Sequence, residues 1–176
     1  LILIVILVYI VMATQFESLK FPFIIMFTIP FAFTGVFLAL WMTSTPLSLI
    51  ALIGAIMLVG IVTKNGIVMV DYMNLLIERG SGVFDAVIAG GKSRLRPVLM
   101  TSFTTILGML PLAIGTGAGS ETWQPMGIAV IGGLTFSTIL TLFIVPVLYS
   151  ILVNRSQRKE REKLARLSAE HQASKH

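Results

Sequence analysis

A lysine in the middle of a membrane-length apolar run is the strongest constraint on what this chain can fold into. The run is Leu47 to Ile77, LSLIALIGAIMLVGIVTKNGIVMVDYMNLLI, and the lysine is Lys64. An α-helix rises about 1.5 Å per residue, so about 20 apolar residues cross the hydrocarbon core of a bilayer. Lys64 lies deep in the run measured from either end. A charge at that depth costs on the order of 3 kcal/mol on insertion scales. Such a residue faces a partner or a water-filled path, and any fold for this chain has to supply one of the two.

Composition extends that reading to the whole chain. Of its 176 residues, 56% are hydrophobic and only 12% are charged, whereas soluble domains are about one quarter charged. The fold class is an all-α membrane protein. There is no cysteine, which excludes disulfides and thiolate metal sites. Both histidines, His171 and His176, lie in the polar tail, where solvated side chains are expected. No metal and no cofactor is implied. The first residue is Leu1, and the chain opens inside an apolar run, LILIVILVYIVMA, without the basic start of a signal peptide. That start reads as the interior of a longer protein, of which this is a C-terminal piece.

Five apolar segments run over about 1–13, 22–42, 47–77, 96–114 and 125–153. They predict five transmembrane helices in a domain of 1–153, followed by a short charged tail over 154–176. Pro22 and Pro97 fall where a helix starts and a missing N–H is harmless. Thr43-Ser44-Thr45-Pro46 reads as a turn, and the glycine-rich 115–120 as a flexible connection. Pro30, Pro111 and Pro146 predict kinks. Ala51, Gly54 and Ala55 in the third span, and Gly127, Gly132 and Gly133 in the fifth, make narrow faces suited to close helix packing.

Orientation follows from the basic residues. Lys20, the group Arg79, Lys92, Arg94 and Arg96, and the tail all fall on one side of five alternating spans. The opposite connections, 43–46 and 115–124, hold no lysine or arginine. The C-terminus and the connection from Glu78 to Arg96 are therefore expected in the cytoplasm. The net charge of +5 is spent on membrane orientation, so no nucleic acid partner is implied. The basic tail is interrupted by Glu160, Glu162 and Glu170 and reads as a solvated helix.

What Lys64 pairs with is the open question. Asp71 is two turns away on about the same face and close to the surface, where an interfacial carboxylate is unremarkable. Thr101, Ser102, Thr104 and Thr105 cluster in the fourth span. Such hydroxyls usually bond their own backbone, the alternative being a relay with water. Glu17, Glu78, Asp85 and Glu121 lie in connections, so no carboxylate sits in mid-membrane. The acidic partner has to come from outside this chain.

Gly60-Ile61-Val62-Thr63-Lys64-Asn65-Gly66-Ile67, followed by Val70-Asp71-Tyr72, resembles the lysine-bearing helix of the resistance–nodulation–division (RND) efflux transporters. The resemblance continues through Arg94-Leu95-Arg96-Pro97-Val98-Leu99-Met100-Thr101-Ser102 and Leu107-Gly108-Met109-Leu110-Pro111-Leu112. It covers Pro125-Met126-Gly127-Ile128-Ala129-Val130 and ends at Phe143-Ile144-Val145-Pro146-Val147-Leu148-Tyr149. Several motifs in order over nearly the whole chain make it specific.

The resemblance implies the last five of twelve helices of a bacterial inner-membrane permease that exchanges protons for substrates, driven by the proton-motive force. It implies that Lys64 pairs with intramembrane aspartates of the N-terminal half of the same transporter. Asn65 would be its polar neighbour, Thr101 the relay hydroxyl and Arg94 the inner-mouth arginine. The Lys64–Asn65 pair resembles the hydrophobe/amphiphile multidrug exporters more than the heavy-metal exporters. The implied partners are the lipid bilayer, two further copies in a homotrimer, a periplasmic adaptor and an outer-membrane channel. A different class of function, a small membrane structural or assembly subunit, would keep the five helices and use Lys64 only to hold another subunit's acid.

Overall fold

The computed structural model describes residues 2–173, without the side chains of 160 and 169–173. They form six helices: α1 (Ile2–Phe16), α2 (Lys20–Met26), α3 (Ile29–Met42), α4 (Leu49–Glu78), α5 (Val83–Ile114) and α6 (Ser120–Ala173). No strand occurs among the described residues. Four stretches are long and apolar enough to cross a membrane: Lys20–Met42, Leu49–Glu78, Val83–Ile114 and Ser120–Ser168. α1 is equally apolar but has 15 residues, about 22 Å of helix, and falls short of a full crossing.

The second span is one crossing made of two helices. Pro30 is the second residue of α3. It has no N–H for the Met26 carbonyl, and its ring crowds that oxygen, so α2 stops and α3 restarts. At the break the Phe27 N–H donates to Phe23 O at 3.1 Å and the Thr28 N–H to Ile25 O at 3.0 Å. The buried Thr28 hydroxyl donates to the same Ile25 carbonyl at 2.6 Å, which leaves this broken backbone without an orphan hydroxyl.

α4 starts and stops on recognisable caps. The Ser48 hydroxyl accepts from the Ala51 N–H at 3.2 Å, satisfying one of the free donors of the first turn. At the other end Gly80 takes φ +91°, a left-handed conformation that costs glycine little. The Gly80 N–H then reaches Ile77 O at 2.9 Å and the Ser81 N–H reaches Leu76 O at 3.1 Å, the paired bonds that close a helix C-terminus.

α5 corrects one expectation. The connection after α4 is only 79–82, and helix resumes at Val83 rather than near Arg96, so Pro97 is an interior residue. Val83, Ala86 and Gly90 are buried, three and four residues apart, which is the spacing of a helical face. A Cβ on Gly90 would stand 2.6 Å from Met73 Cγ of α4. Packing on α4 therefore makes helix of a stretch whose glycines and charges read locally as a loop. The charged tail is helical, as expected of it, and is continuous with the span before it: α6 runs without a break past Val153 to Ala173. The expectation for His176 lies outside the described residues, as do those for the side chains of Glu160, Glu170 and His171.

α6 is the central helix, packed on α2, α3, α4 and α5. Its crossing with α3 is close. A Cβ on Gly35 would stand 2.6 Å from Phe136 Cβ and 2.8 Å from Gly132 O, and one on Gly133 would meet Leu58 and Val36. The small faces foreseen at Gly54, Gly127, Gly132 and Gly133 are thus packing faces, where backbones approach closely in place of a hydrophobic driving force. Two apolar clusters result. One joins Val36, Ala55, Leu58 and Val62 to Ala129 and Leu134. The other joins Met12, Ile24, Ile25, Met69 and Met73 to Val145 and Tyr149. Residue order in the two clusters rises together along α4 and α6, so these helices run parallel.

Candidate functional site

α4 has two unlike faces. Ala55, Leu58, Val62, Gly66, Met69 and Met73 are buried, while Ile53, Met57, Gly60, Lys64, Asp71 and Leu75 form an exposed stripe at steps of three to seven residues. Lys64 belongs to the open stripe. Beside it is a groove of about 390 Å³ whose walls include Leu7, Val8 and Val11 of α1 and Gly60 and Thr63 of α4. That wall is mostly apolar, with Gln15 of α1 and Thr63 as its polar members beside Lys64. Among the described residues Lys64 has no hydrogen-bond or salt-bridge partner; the ion pair there is Arg158 Nε to Glu162 Oε1 at 3.2 Å, in the tail. Asn65 is half-buried beside Lys64 and faces partly inward.

The α5 hydroxyls divide into two kinds. Thr101 is exposed, and its hydroxyl lies 2.8 Å from Pro97 O and 3.0 Å from Val98 O of its own helix. Thr104 donates to Met100 O and Thr105 to Thr101 O, each at 2.8 Å. These three satisfy themselves on the preceding turn, as threonines in apolar helices do. Thr101 and Lys64 are not joined by a hydrogen bond. Ser102 is different: it is buried and pairs with the Thr138 hydroxyl of α6 at 2.9 Å.

Arg94 lies at the same end of the bundle as the second apolar cluster. Its guanidinium carbon is 4.6 Å from the centre of the Tyr72 ring, so it rests on α4 by a cation–π contact. Its Nε is buried without a partner. The sequence offered Arg94 and Tyr72 in separate motifs, and only the antiparallel contact of α4 and α5 brings them together.

A buried polar layer escaped the sequence reading. Thr63 Oγ1, Ser137 Oγ and Thr141 Oγ1 are buried with no hydrogen-bond partner, and Ser102 and Thr138 complete the layer. Along α4 and α6 these residues fall between the two apolar clusters. The four-residue step Ser137–Thr141, with Thr138 beside it, was the available signal. One level further along, the buried Tyr149 hydroxyl donates to Asn74 Oδ1 of α4. Among the described residues no group of three His, Asp or Glu side chains stands close enough to hold a metal ion.

Residues 1–153 match the AcrB/AcrD/AcrF family. Multidrug resistance protein MdtC of Erwinia tasmaniensis is 43% identical over 155 residues, 88% of this chain and 15% of that protein. Cobalt-zinc-cadmium resistance protein CzcA of Cupriavidus metallidurans is 41% identical over 154 residues, 88% of this chain and 14% of that protein. The crystal structure of a heavy metal efflux pump superposes with a TM-score of 0.76 at 32% identity, covering 85% of this chain and 14% of the pump. The chain thus spans about 15% of the length of the curated relatives it matches. It belongs to the AcrB/AcrD/AcrF family of RND transporters.

Proposed function

We propose that this chain is the C-terminal transmembrane part of a proton-driven multidrug efflux permease and carries the lysine half of its proton site. One observation carries the reading. Lys64 stands on the open face of α4, away from the packed core, with no acid among the described residues to pair it. A lysine at membrane depth does not face lipid tails unpaired, so the open stripe is where the N-terminal half docks and brings its aspartates.

In the proposed cycle, ionised aspartates of that half hold Lys64. A proton arriving from the outer side neutralises one of them, the pair loosens, and the Lys64 ammonium turns to Asn65 or to the Thr101 hydroxyl. Thr101 can answer by leaving its bond to Pro97 O. Arg94, held on Tyr72, keeps a fixed positive charge at the inner mouth and sets the direction of proton exit. Moving one charge across the membrane supplies about 2.3 kcal/mol per 100 mV, enough to bias a two-state packing change. The cycle runs on the proton-motive force and uses no cofactor.

The same reading makes α1 the fifth crossing, places the C-terminus in the cytoplasm and the protein in the bacterial inner membrane. It makes the working unit a homotrimer served by a periplasmic adaptor and an outer-membrane channel. MdtC and CzcA differ by two points of identity to this chain, so the hydrophobe/amphiphile substrate class rests on the Lys64–Asn65 pair.

The test is Lys64→Ala in the full-length protein in proteoliposomes. Loss of an intramembrane charge partner is expected to abolish substrate-coupled proton flux with normal membrane insertion. Coupled export near the parent rate would remove Lys64 from the mechanism.

A further inference from the structure

Where α2 begins and α6 leaves its apolar section, two recesses adjoin. The larger, about 540 Å³, includes Lys20, Arg155, Arg158 and Lys159 in its wall, with Glu162 as the opposing carboxylate. Glu162 is already held by Arg158, so Lys20, Arg155 and Lys159 face the recess with their charge uncompensated among the described residues. The smaller, about 240 Å³, is lined by Phe21, Leu152 and Val153 on its apolar side. Lys20, Leu152 and Ser156 belong to both. Lys20 Nζ donates to Ser156 Oγ at 2.8 Å, which stands the ammonium on the wall between them.

From this geometry we infer a binding site for one anionic phospholipid. The phosphate sits against Lys20, Arg155 and Lys159, and an acyl chain runs along Phe21, Leu152 and Val153. A free phosphate would use the basic recess alone; the adjoining apolar one suits an amphiphile. The depth agrees as well. α6 changes here from LYSILV to NRSQRK, the level at which headgroups meet a helix, and basic recesses between helices on the cytoplasmic side are suited to anionic headgroups. The site goes beyond the efflux reading and does not depend on Lys64.

The test is native mass spectrometry of the purified full-length protein with phosphatidylglycerol and phosphatidylcholine of matched chains. Phosphatidylglycerol is expected to be retained about fivefold over phosphatidylcholine. The combined variant Lys20→Gln, Arg155→Gln, Lys159→Gln abolishes that preference. The control Arg79→Gln, Lys92→Gln, Arg96→Gln removes equal charge elsewhere on the same side and leaves it intact. Equal losses in both variants would reduce the effect to bulk surface charge and overturn the site, as would no preference in the parent. Displacement of the lipid by excess inorganic phosphate or glycerophosphate would mark a free-phosphate site instead and overturn it too. If the triple variant does not fold, Arg155→Glu at that exposed position must by itself lower phosphatidylglycerol retention while sparing phosphatidylcholine.

Discussion

α4 and α5 are neighbours of nearly equal length, 30 and 32 residues, and live in opposite surroundings. In their most apolar windows 56% of α4 is buried and 11% of α5. α4 is wedged between α6 and α5 and presents Ala51, Gly54 and Ala55 to its neighbours. α5 buries a thin line of residues, Val98 and Ser102 among them, and turns Met100, Phe103, Leu107 and Ile114 outward. Lipid tails are as apolar as leucine, so bulk hydrophobicity does not order helices in a bilayer; close backbone approach and polar contact do. The lesson lies in where the proposed relay falls. Lys64 is on the one open stripe of the buried helix, and Thr101 is on the open side of the exposed one. The candidate residues therefore lie on the exposed margin of the described bundle.

The contrast can be broken most severely at the α3–α6 crossing. Gly35→Leu pushes a side chain into Phe136 Cβ and Gly132 O, neither of which can give way. It is expected to cost about 3 kcal/mol or more, read as a collapse in folded yield and melting temperature in detergent. Parent-like melting would mean that α3 and α6 do not cross so closely. A smaller effect tests what ties the exposed α5 to the core. A double-mutant cycle of Ser102→Ala and Thr138→Val should give a coupling of about 0.6 kcal/mol, the usual size for hydroxyl pairs between membrane helices. Zero coupling would leave α5 held by shape alone. The smallest effect is on the outward face: nothing lies within 4 Å of a Cβ on Gly108, so Gly108→Ala should stay within about 0.5 kcal/mol of the parent. A loss of several degrees in melting temperature would show that this face is packed in the complete protein.

Much of this was legible in the residues. The all-helical class, the break at Pro30, the small packing faces and the unpaired Lys64 all follow from local chemistry: a missing N–H, a missing side chain, a charge among apolar neighbours. The start of α5 was not legible, because GVFDAVIAGGKSRLRP has the glycines and charges of a connection and becomes helix by laying Val83, Ala86 and Gly90 on α4. The tail was legible as helix, but not that it joins the last span in one unbroken helix, since nothing in the charged run marks whether a break falls where apolarity ends. The candidate residues Lys64, Asn65, Thr101 and Arg94 were nameable beforehand from the family resemblance. Thr101 bonds its own backbone, as a hydroxyl in an apolar run is expected to. The other surroundings were not legible: the pairing of Arg94 with Tyr72 and the layer of Thr63, Ser137 and Thr141 depend on which helix faces land together.

By itself the sequence determined the solvent of this protein and the debt at Lys64, because hydropathy and charge are properties of single residues and short windows. Only the tertiary structure decided which side of each helix is spent on packing and which is left open. That choice is made by backbone approach at Gly35, Gly132 and Gly133, where residues far apart in the chain meet, and no local pattern encodes the distance between them. The open side it leaves is the one that carries Lys64.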